Sequence, residues 1–491
     1  MNQQVNEQER KDFHKCFRAV FVEALSYVAS LGPSAYLGQH YDWPQLSQHK
    51  NGMPSVSITA WGGPKDYSTA FVPVQGLREP PRIVSLPTFF EAVERSDLLR
   101  ARLLPPKTEF SGEQRAYLEL MLSSLVYDLV DRYVHVYGSA EFNEERFQAT
   151  FSPLENGVFY DPLPLDIAIP ILFVHFPCEE IQLSNSAWVR RMEDAFQLAR
   201  ASKKAYGPGV HDAVMAAATH ALILENWQIP NRGRWPSPDI TTEVGAYPLA
   251  QIDLFFAALR TETGAQTGYA QVLTVPRGWM HRWKAALPPL EGTSTRAYPL
   301  VFEDYYWRSE HLPRIDETTI QRVAQLWSTF EEAPENRLKV AARRLNLCFV
   351  RDLDEDVAID ACIGLEAALS DDEPHEMTHK LALRVAALSR YFVEFEKSAH
   401  QVFREIKAIY AYRSALVHGS SSYDKKREIR VSQTTRVEAT VLAVEYLRAV
   451  LKVLATRPQF RDPTSIDRTL LLADAEVSSP EGGTEPTSKG R

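Results

Sequence analysis

Cysteine is scarce in this 491-residue chain, and its four residues, Cys16, Cys178, Cys348 and Cys362, stand far apart without metal-type spacing. That pattern excludes a disulfide framework and fits thiols serving as small buried hydrophobes in a reducing, cytoplasmic setting. Long apolar runs are missing too. The longest, residues 167–177, carries Pro170, His175 and Pro177 and is shorter than the roughly 20 residues a bilayer crossing needs. The opening MNQQVNEQERKDFHK lacks the apolar core of a secretion signal, so no membrane partner is expected. Positive charge is in deficit: 54 Lys and Arg against 63 Asp and Glu give a net charge of −9. Broad, sequence-blind coating of DNA needs the opposite balance; RNA cleavage at a local basic site does not. A phosphate-cradling GxxxxGK loop, a GxGxxG after a strand and a CxxC pair are all absent. Neither a cofactor nor a bound metal is therefore expected.

What the sequence holds is more than one core can absorb at this length. An amphipathic helix over 8–31 stops at Gly32 and Pro33, a pairing that ends helices. Residues 32–86 are rich in Gly, Pro and Trp, with β-like runs at 55–58 and 70–72. A helix follows over 111–137: Ser111 and Gln114 have capping-box spacing, Leu118, Leu122, Leu125 and Leu129 share a face, and Gly138 marks the exit. Between 150 and 310 the pattern predicts strands at 166–176 and 270–275 and helices at 186–201 and 210–224. Beyond about 315 the character changes to helices at 316–333, 336–350, 354–370, 375–392, 394–417 and 433–456. In the last of these Thr435 and Glu438 repeat the capping-box spacing, and Val437, Val441, Val444, Leu447, Leu451 and Leu454 form the core stripe. The expected architecture is an α+β region over 1–314 of unassigned role, then an all-α helical bundle over 315–470. A small, polar tail over 471–491 should be disordered.

The chemistry-bearing segment is the helix that ends YAYRSALVHGSSS. Its apolar positions run Phe392, Phe395, Ala399, Phe403, Ile406 and Tyr410, and the same spacing continues through Arg413 to Val417. Arg413 is thus in phase with the core face, where a guanidinium needs an anion or several acceptors beside it. His418 sits at the helix exit before Gly419. Five residues rotate an ideal helix by roughly 140°, so the two side chains share a face only if the end unwinds or a second subunit intervenes. The plain alternative is helix-end chemistry: basic side chains favour the carbonyl end of a helix and Gly the position beyond it.

The wider context narrows the reading. The runs RRLNLCFVRDLDEDVAIDACIGLEAAL, HKLALRVAAL and IKAIYAYRSALVHG together resemble the Apea-like branch of the HEPN superfamily. The resemblance rests on Asp356 and Asp360 before Gly364, Leu365 and Glu366, on Leu381 and Arg384, and on Tyr410, Arg413, Val417, His418 and Gly419. It covers about a quarter of the chain. The resemblance implies a helical HEPN bundle, a homodimer and metal-independent cleavage of RNA through an Arg-x4-His motif, in a setting such as anti-phage defence or stress response. Arg413 is then assigned to phosphate stabilisation and His418 to proton transfer. Ser414 follows the arginine where HEPN nucleases often place Asn, Asp or His. Glu366 and Asp360 are candidate anions for Arg413, Glu366 alternatively a structural partner of Arg384, and Lys425, Lys426 and Arg427 a guide for the RNA backbone. A non-catalytic HEPN module for dimerisation or RNA binding is the other reading of the same features.

A competing motif lies inside the same region. Residues 375–379, HEMTH, spell HExxH, which on a well-supported helix places two imidazoles and a general base around zinc. Here it follows Pro374 and an acidic run and lacks a recognisable third ligand, so the zinc-peptidase reading ranks last. Trp61, Trp279 and Trp283 read as packing residues, and His175 as a core histidine.

Overall fold

Phenylalanines at helical spacing organise the first helix, α1 (Asn2–Ser30). Phe13, Phe17, Phe21 and Leu25 lie on one buried face. The computed structural model describes residues 2–32, 35–60, 62–74, 79–105, 112–202, 210–234, 241–334, 336–371, 376–393, 396–420 and 423–472. Ser111, Trp61, His375, Phe395 and residues 473–491 of the tail, on which expectations were placed, lie outside them, whereas Leu471 closes a helical turn, Asp467–Leu471. The chain divides into two compact units, residues 1–252 with 265–324, and residues 253–264 with 325–491. Among the described residues no helix is long and apolar enough to cross a membrane.

In the first unit α1 packs with α2 (Leu86–Arg95), α3 (Asp97–Leu103), α4 (Gly112–Tyr137) and α5 (Glu144–Phe159). Their core is aromatic: Phe17 and Phe151 have ring centroids 4.7 Å apart, and Phe147 stacks on Phe151 at 5.2 Å. Each such ring removed from water contributes about 1.5–3 kcal/mol. Leu118, Leu122, Leu125 and Leu129 are all buried, and Gly138 ends α4 at φ +64°, the left-handed geometry glycine adopts at least cost. Two small antiparallel pairs stand between α1 and α2: β1 (Gly38–Gln39) with β4 (Lys65–Asp66), and β2 (Trp43–Gln48) with β3 (Pro54–Thr59). Residues 70–72, expected as β-like, instead close a 3₁₀ turn (Tyr67–Phe71) whose start is capped by the Asp66 carboxylate on Ser68 N.

A six-stranded antiparallel sheet fills the rest of this unit. Its strands are β5 (Leu163–Ile171), β6 (Glu180–Ser184), β7 (Ala187–Arg191), β8 (His220–Ile229), β9 (Tyr269–Pro276) and β10 (Glu291–Ala297). The spatial order is β10-β9-β5-β8-β7-β6. The helix expected at 186–201 is strand β7 followed by α6 (Asp194–Ser202), and that expected at 210–224 is the short α7 (Asp212–Ala216) followed by β8. Sheet pairing overrode the helical reading. Residues 187–191 bridge β6 and β8, and Ala221, Leu222 and Leu224 are buried on both faces of a central strand, where the period-2 signature disappears.

The second unit is built from the part of α8 (Leu249–Thr263) beyond residue 252, the part of α9 (Glu317–Glu332) beyond 324, and α10 (Asn336–Cys348), α11 (Asp354–Leu369), α12 (Met377–Leu388), α13 (Ala399–Val417), α14 (Tyr423–Lys426) and α15 (Ala439–Thr456). It departs from an all-α expectation in one place. Glu428–Arg430 and Arg436–Glu438 pair as a hairpin, β11–β12, so the 433–456 helix starts six residues later than its periodicity implies. Thr435 sits in the hairpin turn, and Glu438 makes no side-chain capping bond. The stripe shifts with it: Val441 is exposed, whereas Leu442, Tyr446, Leu447, Val450, Leu451 and Leu454 are buried. Gly364 of α11 lies where an added Cβ would come within 2.6 Å of Leu447 Cδ2 of α15, so these helices approach closely. Cys348 and Cys362 are buried, and burial holds the Cys362 thiol up at about 12, neutral and inert; Cys16 and Cys178 are half-buried.

Candidate functional site

Helix α13 begins cleanly, with Ser398 Oγ accepting from Gln401 N at 3.2 Å. It buries Val402, Ile406, Ile409, Tyr410 and Ala415. Ile406 and Tyr410 are buried as expected, while Val402, Glu405 and Ile409 beside them turn the centre of the buried face away from the expected stripe. Tyr446 donates to the Glu405 carboxylate at 2.5 Å and Lys397 at 2.8 Å. The rotation leaves Val417 half exposed and puts Arg413 on the edge of the core, its side chain 33% exposed.

Arg413 is poorly satisfied there. Its closest carboxylate, Glu366 of α11, stands 4.0 Å away, beyond hydrogen-bond range. Its Nε is buried without a hydrogen-bond partner. Burial raises the Glu366 pKa, and the nearby guanidinium opposes that rise. Tyr410, one turn earlier, donates to the Cys362 carbonyl at 3.2 Å and is held neutral by burial. Orphaned buried donors are uncommon and call for an explanation. His418 ends α13 as its C-cap, with φ −91° and ψ 5°, and Gly419 follows at φ +61°. Its ring is exposed. Ser414 is exposed as well and serves as a helix-end acceptor, its carbonyl taking His418 N at 3.1 Å.

The remaining candidates are not gathered around Arg413. Asp360 is buried and committed elsewhere, accepting from Arg344 at 2.6 Å and Arg351 at 2.7 Å. It is therefore not the arginine's anion; among the described residues Glu366 is the carboxylate that faces Arg413. Arg384 is buried too, and its partners do not include Glu366. Its guanidinium donates to Asp371 at 2.6 Å, to Asp467 at 2.6 and 2.9 Å, and to the Leu369 carbonyl at 2.7 Å. Lys425 and Lys426 close α14, while Arg427 is engaged by Asp354 and Glu438. Lys426, with Arg404 and Arg430, lines an open groove of about 300 Å³ between α13 and the hairpin. Nine residues separate Arg404 from Arg413, a rotation of about 180°, so groove and arginine occupy opposite sides of α13.

The HExxH segment does not supply a zinc helix among the described residues. α12 starts at Met377, with Glu376 before it in the left-handed region at φ +56°. His379 packs edge-on against Phe403, centroids 5.5 Å apart.

Sequence reasoning passed over another cluster, in the first unit. Among the described residues, one group of His, Cys, Asp or Glu side chains could hold a metal ion: His40, Asp131 and His135. His40 Nε2 lies 3.0 Å from Asp131 Oδ2, and His135 Nε2 3.2 Å from Asp131 Oδ1. Asp131 is buried, which opposes its charge, yet hydrogen bonds from both imidazoles lower its pKa. Burial also opposes charge on His135, but the Asp131 carboxylate outweighs it and raises that pKa. One turn back, burial pushes the Asp128 carboxyl up to about 6 against the pull of Arg234. The D-x3-H spacing of 131 and 135 was visible in the sequence. His40, ninety-one positions away, could not be attached to it without the fold.

No protein-family model matches the chain, and no curated protein or solved structure matches it either.

Proposed function

We propose that the chain is a metal-independent endoribonuclease of the HEPN type, acting through Arg413 and His418 as a homodimer. The observation that carries this reading is the unsatisfied Arg413 guanidinium: half-buried, with an orphaned Nε and its one carboxylate held at 4.0 Å. A phosphate completes that arginine by two-pronged hydrogen bonding. Its value rises as the phosphorus becomes pentacovalent and gathers negative charge.

The reaction balances without a metal. The RNA 2′-oxygen attacks the adjacent phosphorus, one imidazole accepts the hydroxyl proton, and the P–O5′ bond breaks. A second, protonated imidazole donates to the departing 5′-oxygen, leaving a 2′,3′-cyclic phosphate and a 5′-hydroxyl. One chain offers one exposed His418 at this helix end, so a second copy provides the other. Imidazole side chains suit both tasks because they change charge between about pH 5 and 8.

A second reading, a non-catalytic RNA-binding or dimerisation module, is favoured by one feature. Efficient bases are oriented by a third group, and the exposed His418 ring has no hydrogen-bond partner among the described residues.

The deciding experiment incubates the full chain with labelled RNA in EDTA, beside His418→Ala and Arg413→Ala. Cleavage that survives chelation, leaves cyclic phosphate ends and falls at least 100-fold in each variant supports the nuclease. Binding without cleavage, weakened in Arg413→Ala and untouched in His418→Ala, supports the module instead.

A further inference from the structure

The geometry points to a divalent transition-metal site in the first unit, with His40, Asp131 and His135 as ligands and Asp66 as the outer partner of His40. This site is independent of the Arg413 reading.

Distance is the first argument. An ion bound at about 2.0–2.2 Å by each donor holds adjacent donors about 3.0–3.4 Å apart. The two imidazole nitrogens stand 3.0 and 3.2 Å from the Asp131 oxygens, and the three ligand atoms all lie within 4.8 Å of one another. Each imidazole nitrogen thus stands at donor–donor separation from its own oxygen of the Asp131 carboxylate.

Rigidity is the second. Asp131 and His135 are four residues apart on the 26-residue α4, so they share a face. The carboxylate is fixed from outside by Tyr67, whose backbone N donates to Oδ1 at 2.9 Å. His40 follows β1 and is anchored by its backbone N donating to the Pro64 carbonyl at 3.0 Å. Its far ring nitrogen, Nδ1, lies 4.0 Å from Asp66 Oδ2, while Oδ1 of the same carboxylate accepts from Ser68 N at 3.0 Å and Ser68 Oγ at 2.5 Å. At 4.0 Å that carboxylate is beyond direct hydrogen-bond range, but its charge favours the Nδ1 proton that a metal-bound imidazole carries.

Chemistry selects the class of ion. Two imidazoles and one carboxylate suit zinc, iron, cobalt or nickel, and disfavour magnesium and calcium, which take oxygen. Three protein ligands leave room for water or a substrate atom, as catalytic sites do and closed structural sites do not. The side chains of His40 and His135 are 14% and 16% exposed, so an ion has a way in. Binding moves protons in a balanced way. Each neutral imidazole turns a bare Nε2 to the ion and carries its proton on Nδ1, which in His40 lies 4.0 Å from Asp66 Oδ2. The Lys65 carbonyl, 2.8 Å from His135 Nε2, gives up its bond to that nitrogen.

The competing account is a hydrogen-bonded staple in which the two histidines only tie the 38–66 segment and α4 together through Asp131. Titrating the full, chelator-stripped chain with Co²⁺ and then Zn²⁺ separates the two. The metal site requires one equivalent bound, with visible cobalt absorption that zinc bleaches. Asp131→Asn, which keeps the acceptor for Tyr67, and His40→Gln should each abolish the cobalt spectrum. Asp66→Asn should weaken affinity by about 10–100-fold, and His375→Ala should leave it unchanged. Circular dichroism and the thermal midpoint of each variant check that the fold persists. Absence of a stoichiometric cobalt complex in the wild type, or a complex retained in Asp131→Asn and His40→Gln or lost in His375→Ala, overturns the proposal.

Discussion

Glu366 faces Arg413 without satisfying it. Its carboxylate is near enough to lower the cost of a half-buried guanidinium and too far to satisfy it. The folded-state pKa of Glu366 is raised by burial, so folding takes up a proton in the window between its unfolded value, about 4.3, and that raised value. Stability therefore falls as pH climbs through that window, and the penalty is fully present above it. Glu366→Gln removes the titrating group while keeping its shape. The expected outcome is a smaller loss of stability across the acid range, seen as a flatter dependence of the urea midpoint on pH. RNA affinity should rise in the same variant, because the phosphate no longer competes with an internal carboxylate. Weaker RNA binding in Glu366→Gln would mean that the carboxylate positions the arginine.

Arg384 shows how an arginine inside the resembling region carries structure instead of chemistry. One guanidinium ties α12 to Asp371 and Asp467 and caps the Leu369 carbonyl at the end of α11. Breaking a buried pair by removing one partner costs about 3–5 kcal/mol; partial exposure of both carboxylates, 18% and 31%, brings the expectation down to about 2–3 kcal/mol. Arg384→Met should lower the urea midpoint of the second unit accordingly. RNA affinity measured well below that midpoint should be unchanged. A loss of affinity in the still-folded variant would return Arg384 to the site. The same distinction applies to α13, which presents Arg413 on one edge and the Arg404–Lys426–Arg430 groove on the opposite side.

At the scale of the whole molecule the proposed chemistry needs two chains, since one copy offers a single His418 at this helix end. A twofold dimer makes a sharp expectation when variants are mixed. If the reaction uses the His418 of both chains, a dimer with one His418→Ala chain is inactive. Co-refolding wild type with His418→Ala at equal amounts then leaves about a quarter of wild-type cleavage, because about a quarter of the dimers keep both histidines. Retention of about half, with dimers confirmed by sedimentation, would mean that one His418 suffices for each site.

Local pattern was enough for the long helices. The leucines of α4 and the glycine at its exit stand where a 3.6-residue period and a left-handed cap require, and α9 to α11 begin and end within two residues of their expected bounds. The Arg-x4-His motif and its place at a helix exit were legible for the same reason: both are properties of consecutive residues. Strands β7 and β8 were not legible, because a short apolar run has no period of its own until neighbours pair with it. Nor was the fate of the ionic side chains. Asp360, Glu366 and Arg384 are alike in the sequence as charged residues among apolar ones, and only the packing of α10, α11 and α12 decided that two are saturated by arginine–aspartate pairs and one is left facing Arg413. The His40–Asp131–His135 cluster makes the point most plainly. Charge and hydrogen bonding act over a few ångströms, and which residues fall within that reach is set by tertiary contacts between segments some ninety residues apart.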